Sequence, residues 1–244
     1  MDKHNKEFII AEVEIEKIKC HIYLLEDNSI NKIIYWIEDH TTNVSNKLLQ
    51  LTSFQNYVLI GISIPDWNKN LSPWYCPRLF GEEKNDFKGE GPKTLSWLIN
   101  NCIPKIEKDF LDIKSNTQIK RYMGGYSLAG LFSLWVFYND INLKEKIFEG
   151  VCACSPSLWF KKWDEYIKDR VANEQSIVYL SLGDKEGKTK NEVFKKMKTG
   201  MDKMIEKVKN DKGVIKYIFE ENKGGHYSDV DLRMAKGFKW IIEN

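Results

Sequence analysis

No charged residue occurs between Met123 and Asn139, and this stretch constrains the fold more than any other. It reads M-G-G-Y-S-L-A-G-L-F-S-L-W-V-F-Y-N. It falls just short of a membrane span and is interrupted by glycines and serines. A central helix buried under neighbouring layers accounts for it better than lipid does. Residues 119–123 before it have the composition of a strand, and Leu131, Leu134, Trp135 and Tyr138 fall at helical spacing. Between strand and helix sits Ser127, with Gly124 and Gly125 before it and Ala129 and Gly130 after it. Small residues on both sides let two backbones approach where a Cβ would clash. This is the local pattern of a strained turn that presents a serine oxygen to a pocket. The strict form is G-x-S-x-G, and here Ala129 stands at the last glycine. The string alone is equally compatible with a serine capping a helix, so the surrounding order of elements decides.

That order is regular. Segments 8–15 and 18–25 read as two strands joined by a short connection, hence an antiparallel pair. Segment 33–37 (I-I-Y-W-I) is a continuous apolar run, as expected for a strand buried on both faces. A helix over 44–51 and a second buried strand over 57–64 follow. Segment 65–91 is irregular and rich in aromatics, including Trp67, Trp74 and Tyr75, and is predicted to be a packed loop lining a site. Pro92 opens a helix that Pro104 is expected to kink. After 119–138 come a strand over 147–153, a helix over 163–171, a strand over 176–182, a helix over 191–210, a strand over 214–219 and a helix over 229–242. Alternation of this kind predicts one α/β domain spanning 1–244. It has a mainly parallel central sheet, an N-terminal antiparallel hairpin and helices on both faces. Ligands are then expected beyond the carboxyl ends of the strands.

Composition narrows the function. Among 244 residues the formal net charge is +2, so no strong field points to nucleic acid or to an anionic membrane. Five cysteines, an odd number with no C-x-x-C, argue against a disulfide framework and a zinc ribbon. The opening M-D-K-H-N-K-E lacks an apolar core, so no signal peptide is expected and a cytoplasmic location is the simplest reading.

A serine hydroxyl becomes a useful nucleophile only when a base takes its proton. The histidines are His4, His21, His40 and His226. His4 lies at the terminus, and His21 falls inside the hairpin, expected to be far from the strand ends. His226 follows the last strand and two glycines, where the chain order serine, acid, histidine puts a base. The acid that orients it should follow the strand at 176–182. There S-L-G-D-K-E-G offers Asp184 and Glu186, and Glu186 has more chain to reach with. Backbone donors for an oxyanion are expected from Leu128 and from the turn after the third strand, near His40 and Thr41. Trp67, Trp74, Tyr75, Tyr126 and Trp159 are candidate pocket walls.

Four ordered motifs carry a resemblance: G-G-Y-S-L-A-G, S-P-S-L-W-F, S-L-G-D-K-E-G-K-T-K-N and G-G-H-Y-S-D-V-D-L-R. Together they resemble an esterase family of α/β-hydrolases akin to esterase D and the trilactone siderophore esterases. D-W-N-K-N-L-S-P-W at 66–74 is similar to the loop bordering the acyl pocket in its bacterial members. The likeness spans nearly the whole chain from residue 33. It implies an α/β-hydrolase fold, no metal or organic cofactor, a small-molecule ester as substrate, and an acyl-enzyme on serine. By position, Ser127 would be nucleophile, His226 base, and Glu186 or Asp184 the acid. Ala129, and Glu38-Asp39-His40 where relatives have Asp-Gly, are departures from the pattern. Two other readings fit the same residues: an acyltransferase or thioesterase, and a non-catalytic binding module on this scaffold.

Overall fold

In a computed structural model the described residues are 7–25, 29–39, 41–54, 56–77, 86–114, 117–139, 146–188 and 192–244, without the side chains of 192 and 194. The hairpin forms as the spacing predicts: β1 (Ile9–Ile15) pairs antiparallel with β2 (Ile18–Leu24). Its two-residue turn puts Glu16 and Lys17 at φ 50° and 69°. Positive φ at both positions matches the right-handed twist of the flanking strands.

The remaining strands of the main sheet are β3 (Lys32–Ile37), β4 (Tyr57–Ser63), β7 (Lys120–Tyr126), β8 (Gly150–Cys154), β9 (Ser176–Gly183) and β10 (Val214–Asn222). Their order is β1-β2-β4-β3-β7-β8-β9-β10. β2 joins β4 antiparallel, and every later neighbour is parallel. The fold class expected from the alternation is therefore present. The chain runs outward from β3 to β4, then returns across β3 to β7. That reversal opens a crevice beyond the carboxyl ends of β3 and β7, where a ligand site is favoured.

Burial follows the pleat. Ile33, Tyr35 and Ile37 join the core on one face, and Ile34 and Trp36 join the core on the other. The first core takes in Leu95 of α3 (Gly91–Trp97), Leu131 and Leu134 of α5 (Leu128–Asn139) and Met197 and Met201 of α7 (Glu192–Lys209). The second takes in Leu48 of α1 (Val44–Leu51) and Phe238 and Ile241 of α8 (Val230–Glu243). Every residue of α5 from Leu128 to Tyr138 is buried, which explains the absence of charge.

Helical backbone continues across Pro104 from α3 through α4 (Ile103–Lys105), with wide π turns, Leu98–Cys102 and Ile106–Phe110, on either side. Two expectations change. Segment 65–91 is not wholly irregular. It contains α2 (Trp67–Asn70), capped by the Asp66 carboxylate accepting from the Lys69 amide, and a ribbon of β5 (Tyr75–Cys76) and β6 (Phe87–Lys88). α6 (Trp163–Ile167) is shorter than the predicted 163–171.

Candidate active site

Strand β7 ends at Tyr126 and α5 begins at Leu128, so Ser127 alone makes the turn. Its φ is 55°, in the left-handed region that a serine enters at a cost. The turn is held from three sides. The Ser127 amide donates to the Cys154 carbonyl, and the Ser127 carbonyl accepts from the amides of Leu131 and Ser157, each at 3.0 Å. The local sequence permits the bend because Gly125 has no side chain. A Cβ there would lie 2.4 Å from the carbonyl carbon and oxygen of Ala129. With that space kept open, Ala129 serves where the strict pattern has glycine.

The Ser127 hydroxyl lies 2.9 Å from His226 Nε2, and His226 Nδ1 lies 2.7 Å from Glu186 Oε2. An Nδ1–H tautomer donates to the carboxylate and leaves Nε2 to accept from the serine. Three strand ends build this line: β7 supplies the serine, the turn after β9 the acid, and the loop after β10 the histidine. Asp184 faces another way. Its Oδ1 accepts from the Gly224 amide at 2.7 Å and so ties down the loop that carries His226. Of the two carboxylates the sequence leaves open, Glu186 reaches the imidazole.

Glu186 is 3% exposed, and its Oε1 is fully engaged. It accepts from Ser155 Oγ at 2.6 Å, from the Gly183 amide at 2.8 Å and from Arg233 Nη2 at 2.7 Å. Burial alone would raise the carboxyl pKa. Hydrogen bonds from His226, Ser155 and the Gly183 amide, with the nearby imidazole, outweigh it and lower the pKa from 4.5 to about 2. Arg233 also donates to the Tyr126 hydroxyl at 2.5 Å, and Tyr126 donates to the His226 carbonyl at 2.7 Å. One buried guanidinium thus braces both the acid and the backbone of the histidine. Arg233 was not anticipated. The available signal was its place on the apolar face of α8, three residues after Val230 and four before Gly237.

A cavity of about 570 Å³ opens beside Ser127 and His226. Trp67, Tyr126 and Thr41 line it, together with Trp36, Ile37, Val44 and Met234. The other predicted walls lie elsewhere. Trp74 donates its indole N–H to the Lys161 carbonyl at 2.9 Å and packs on Phe160 and Tyr166. Tyr75 is exposed and bonds Asp86, and Trp159 packs against Phe87 and Phe160. Trp74 and Trp159 thus tie the described part of this segment to the chain around α6.

The oxyanion expectations divide. Leu128 occupies the first position of α5, where an amide has no intrahelical partner. The Thr41 amide is committed to Asp39 Oδ1 at 2.9 Å, so it is not a free donor. His40 lies outside the described residues, as does His4. His21 is not remote from the strand ends as its place in the hairpin suggested. Because β2 runs antiparallel, His21 Nδ1 lies 2.6 Å from Glu38 Oε2, one residue past β3.

Parallel strand order, a crossing point beside a serine turn, and a histidine after the last strand define the α/β-hydrolase fold. No family model matches the chain, and no curated protein sequence does. Solved structures share the architecture. An IroE-like serine hydrolase from Shewanella oneidensis superposes with a TM-score of 0.77 at 16% identity, over 97% of this chain and 80% of that one. The siderophore hydrolase EstA from Aspergillus nidulans gives 0.70 at 15% identity, over 100% and 96%. The BES protein from Bacillus cereus gives 0.64 at 19% identity, over 99% and 97%. Among the described residues no helix is long and apolar enough to cross a membrane.

Proposed function

We propose that the protein is a serine carboxylesterase acting on small or medium esters. The observation that carries this reading is the unbroken line Ser127–His226–Glu186, with separations of 2.9 and 2.7 Å. Ser127 Oγ attacks the ester carbonyl while His226 Nε2 takes its proton. The Leu128 amide receives the developing negative charge. His226 returns the proton to the leaving alcohol. Water then enters, His226 activates it, and the acid is released from Ser127. Glu186 stays ionised throughout and stabilises the imidazolium. Structural similarity to a siderophore hydrolase and an IroE-like serine hydrolase supports ester hydrolysis as the chemistry. Five buried cysteines, none of them bridged, are compatible with a reducing cytoplasm.

The test is Ser127→Ala assayed on short p-nitrophenyl esters, with fluorophosphonate labelling of both proteins. The expected result is turnover and labelling in the parent and neither in the variant. Retention of both by Ser127→Ala would sink the reading.

A further inference from the structure

The cavity beside Ser127 has a charge that ester hydrolysis does not require. Asp39, Asp229 and Asp231 line it, and among the described residues no lysine or arginine does. None of the three carboxylates forms an ion pair with a described lysine or arginine. Asp39 accepts from the Thr41 amide and hydroxyl, and Asp231 accepts from the Leu232 amide. Those contacts fix the side chains without cancelling their charge. The whole chain is formally +2, so the negative surplus is local to this cavity. Like charges around one concave site repel each other and raise the local concentration of cations.

The rest of the wall suits the same kind of ligand. Trp36, Trp67, Tyr126 and Tyr227 contribute aromatic surface, which attracts alkylammonium groups through the ring quadrupole. A positive group therefore complements this wall, and an anion does not.

Given the esterase reading above, we propose that the preferred substrate is an ester bearing an alkylammonium group, and that the three carboxylates exclude anionic esters. The test compares kcat/KM for acetylcholine, its neutral isostere 3,3-dimethylbutyl acetate, and monoethyl succinate. At low salt the cationic ester is expected to exceed its neutral isostere by roughly tenfold, with the anion slowest. The ratio should shrink at about 0.5 M salt, because exposed carboxylates are screened. The double variant D39N/D231N should bring the ratio near unity. Glu165→Gln, outside this cavity, should preserve it. Equal rates for the isosteric pair in the parent protein, or a ratio unchanged in D39N/D231N, would overturn the proposal. p-Nitrophenyl acetate separates loss of the charge preference from loss of esterase activity. If it is hydrolysed while the isosteric pair is not distinguished, the charge preference alone fails. If neither it nor the three esters are hydrolysed, the esterase reading fails and takes the preference with it.

Discussion

At the scale of single residues, the site depends on which carboxylate meets His226. Glu186→Gln keeps the shape but offers an amide where the imidazole N–H needs an acceptor. The expected loss is roughly 10³-fold in kcat with little change in KM, measured on a p-nitrophenyl ester. Asp184→Asn should cost about 1 kcal/mol of stability through the weakened bond to Gly224, with kcat falling far less than in Glu186→Gln. A larger kcat loss at Asp184 would reverse the assignment. The low pKa of Glu186 also has a stability consequence. Its folded value of about 2 lies below the ordinary 4.5, so the unfolded chain binds the proton more tightly. The stabilisation is complete above pH 4.5 and is lost as pH falls toward 2, with a total near 3 kcal/mol. Thermal unfolding followed from pH 7 to pH 2 should show this acid limb, and Glu186→Gln should flatten it. Arg233→Met would leave Glu186 without its buried cation and is expected to cost about 3 kcal/mol.

At the scale of elements, the turn between β7 and α5 depends on one missing Cβ. Gly125→Ala places a methyl 2.4 Å from the Ala129 carbonyl. Something must shift, at a cost of roughly 3 kcal/mol, and Ser127 should lose its alignment with His226. Ala129→Gly should cost only about 1 kcal/mol through helix propensity and keep the activity. Circular dichroism melts beside turnover rates separate the two outcomes. This scale also explains which site residues were legible. Ser127 stood out because small residues flank it, and His226 because it follows the last strand. Reach favours Glu186 over Asp184, but spacing alone does not decide, because both follow Gly183 and the choice is made by Ser155 and Arg233 arriving from other elements. Trp74, Tyr75 and Trp159 misled because aromatic rings in a long connection serve packing as readily as binding. Here Trp74 and Trp159 anchor the connection near α6, and Tyr75 lies exposed against Asp86.

At the scale of the whole molecule, the sheet was legible because strands buried on both faces are continuous apolar runs and helices keep their own period. Strand order was less so. That β4 lies outside β3, and that β2 runs against both, follows from tertiary pairing and not from any one segment. This order brings the end of β3 beside the end of β7, and so sets Asp39 and Thr41 in the wall of the cavity that holds Ser127. The alternation put the candidate residues at one edge of the sheet, and the pairing of β3 with β7 put them in one cavity. The central claim is that Ser127 carries an acyl group during turnover. Rapid mixing of the protein with p-nitrophenyl acetate, followed by acid quench and mass spectrometry of the peptides, tests it directly. The expected result is a burst of about one p-nitrophenol per active chain and an acetyl group on the peptide containing Ser127. Turnover with no burst, and with the acetyl group on another residue or on none, would contradict it.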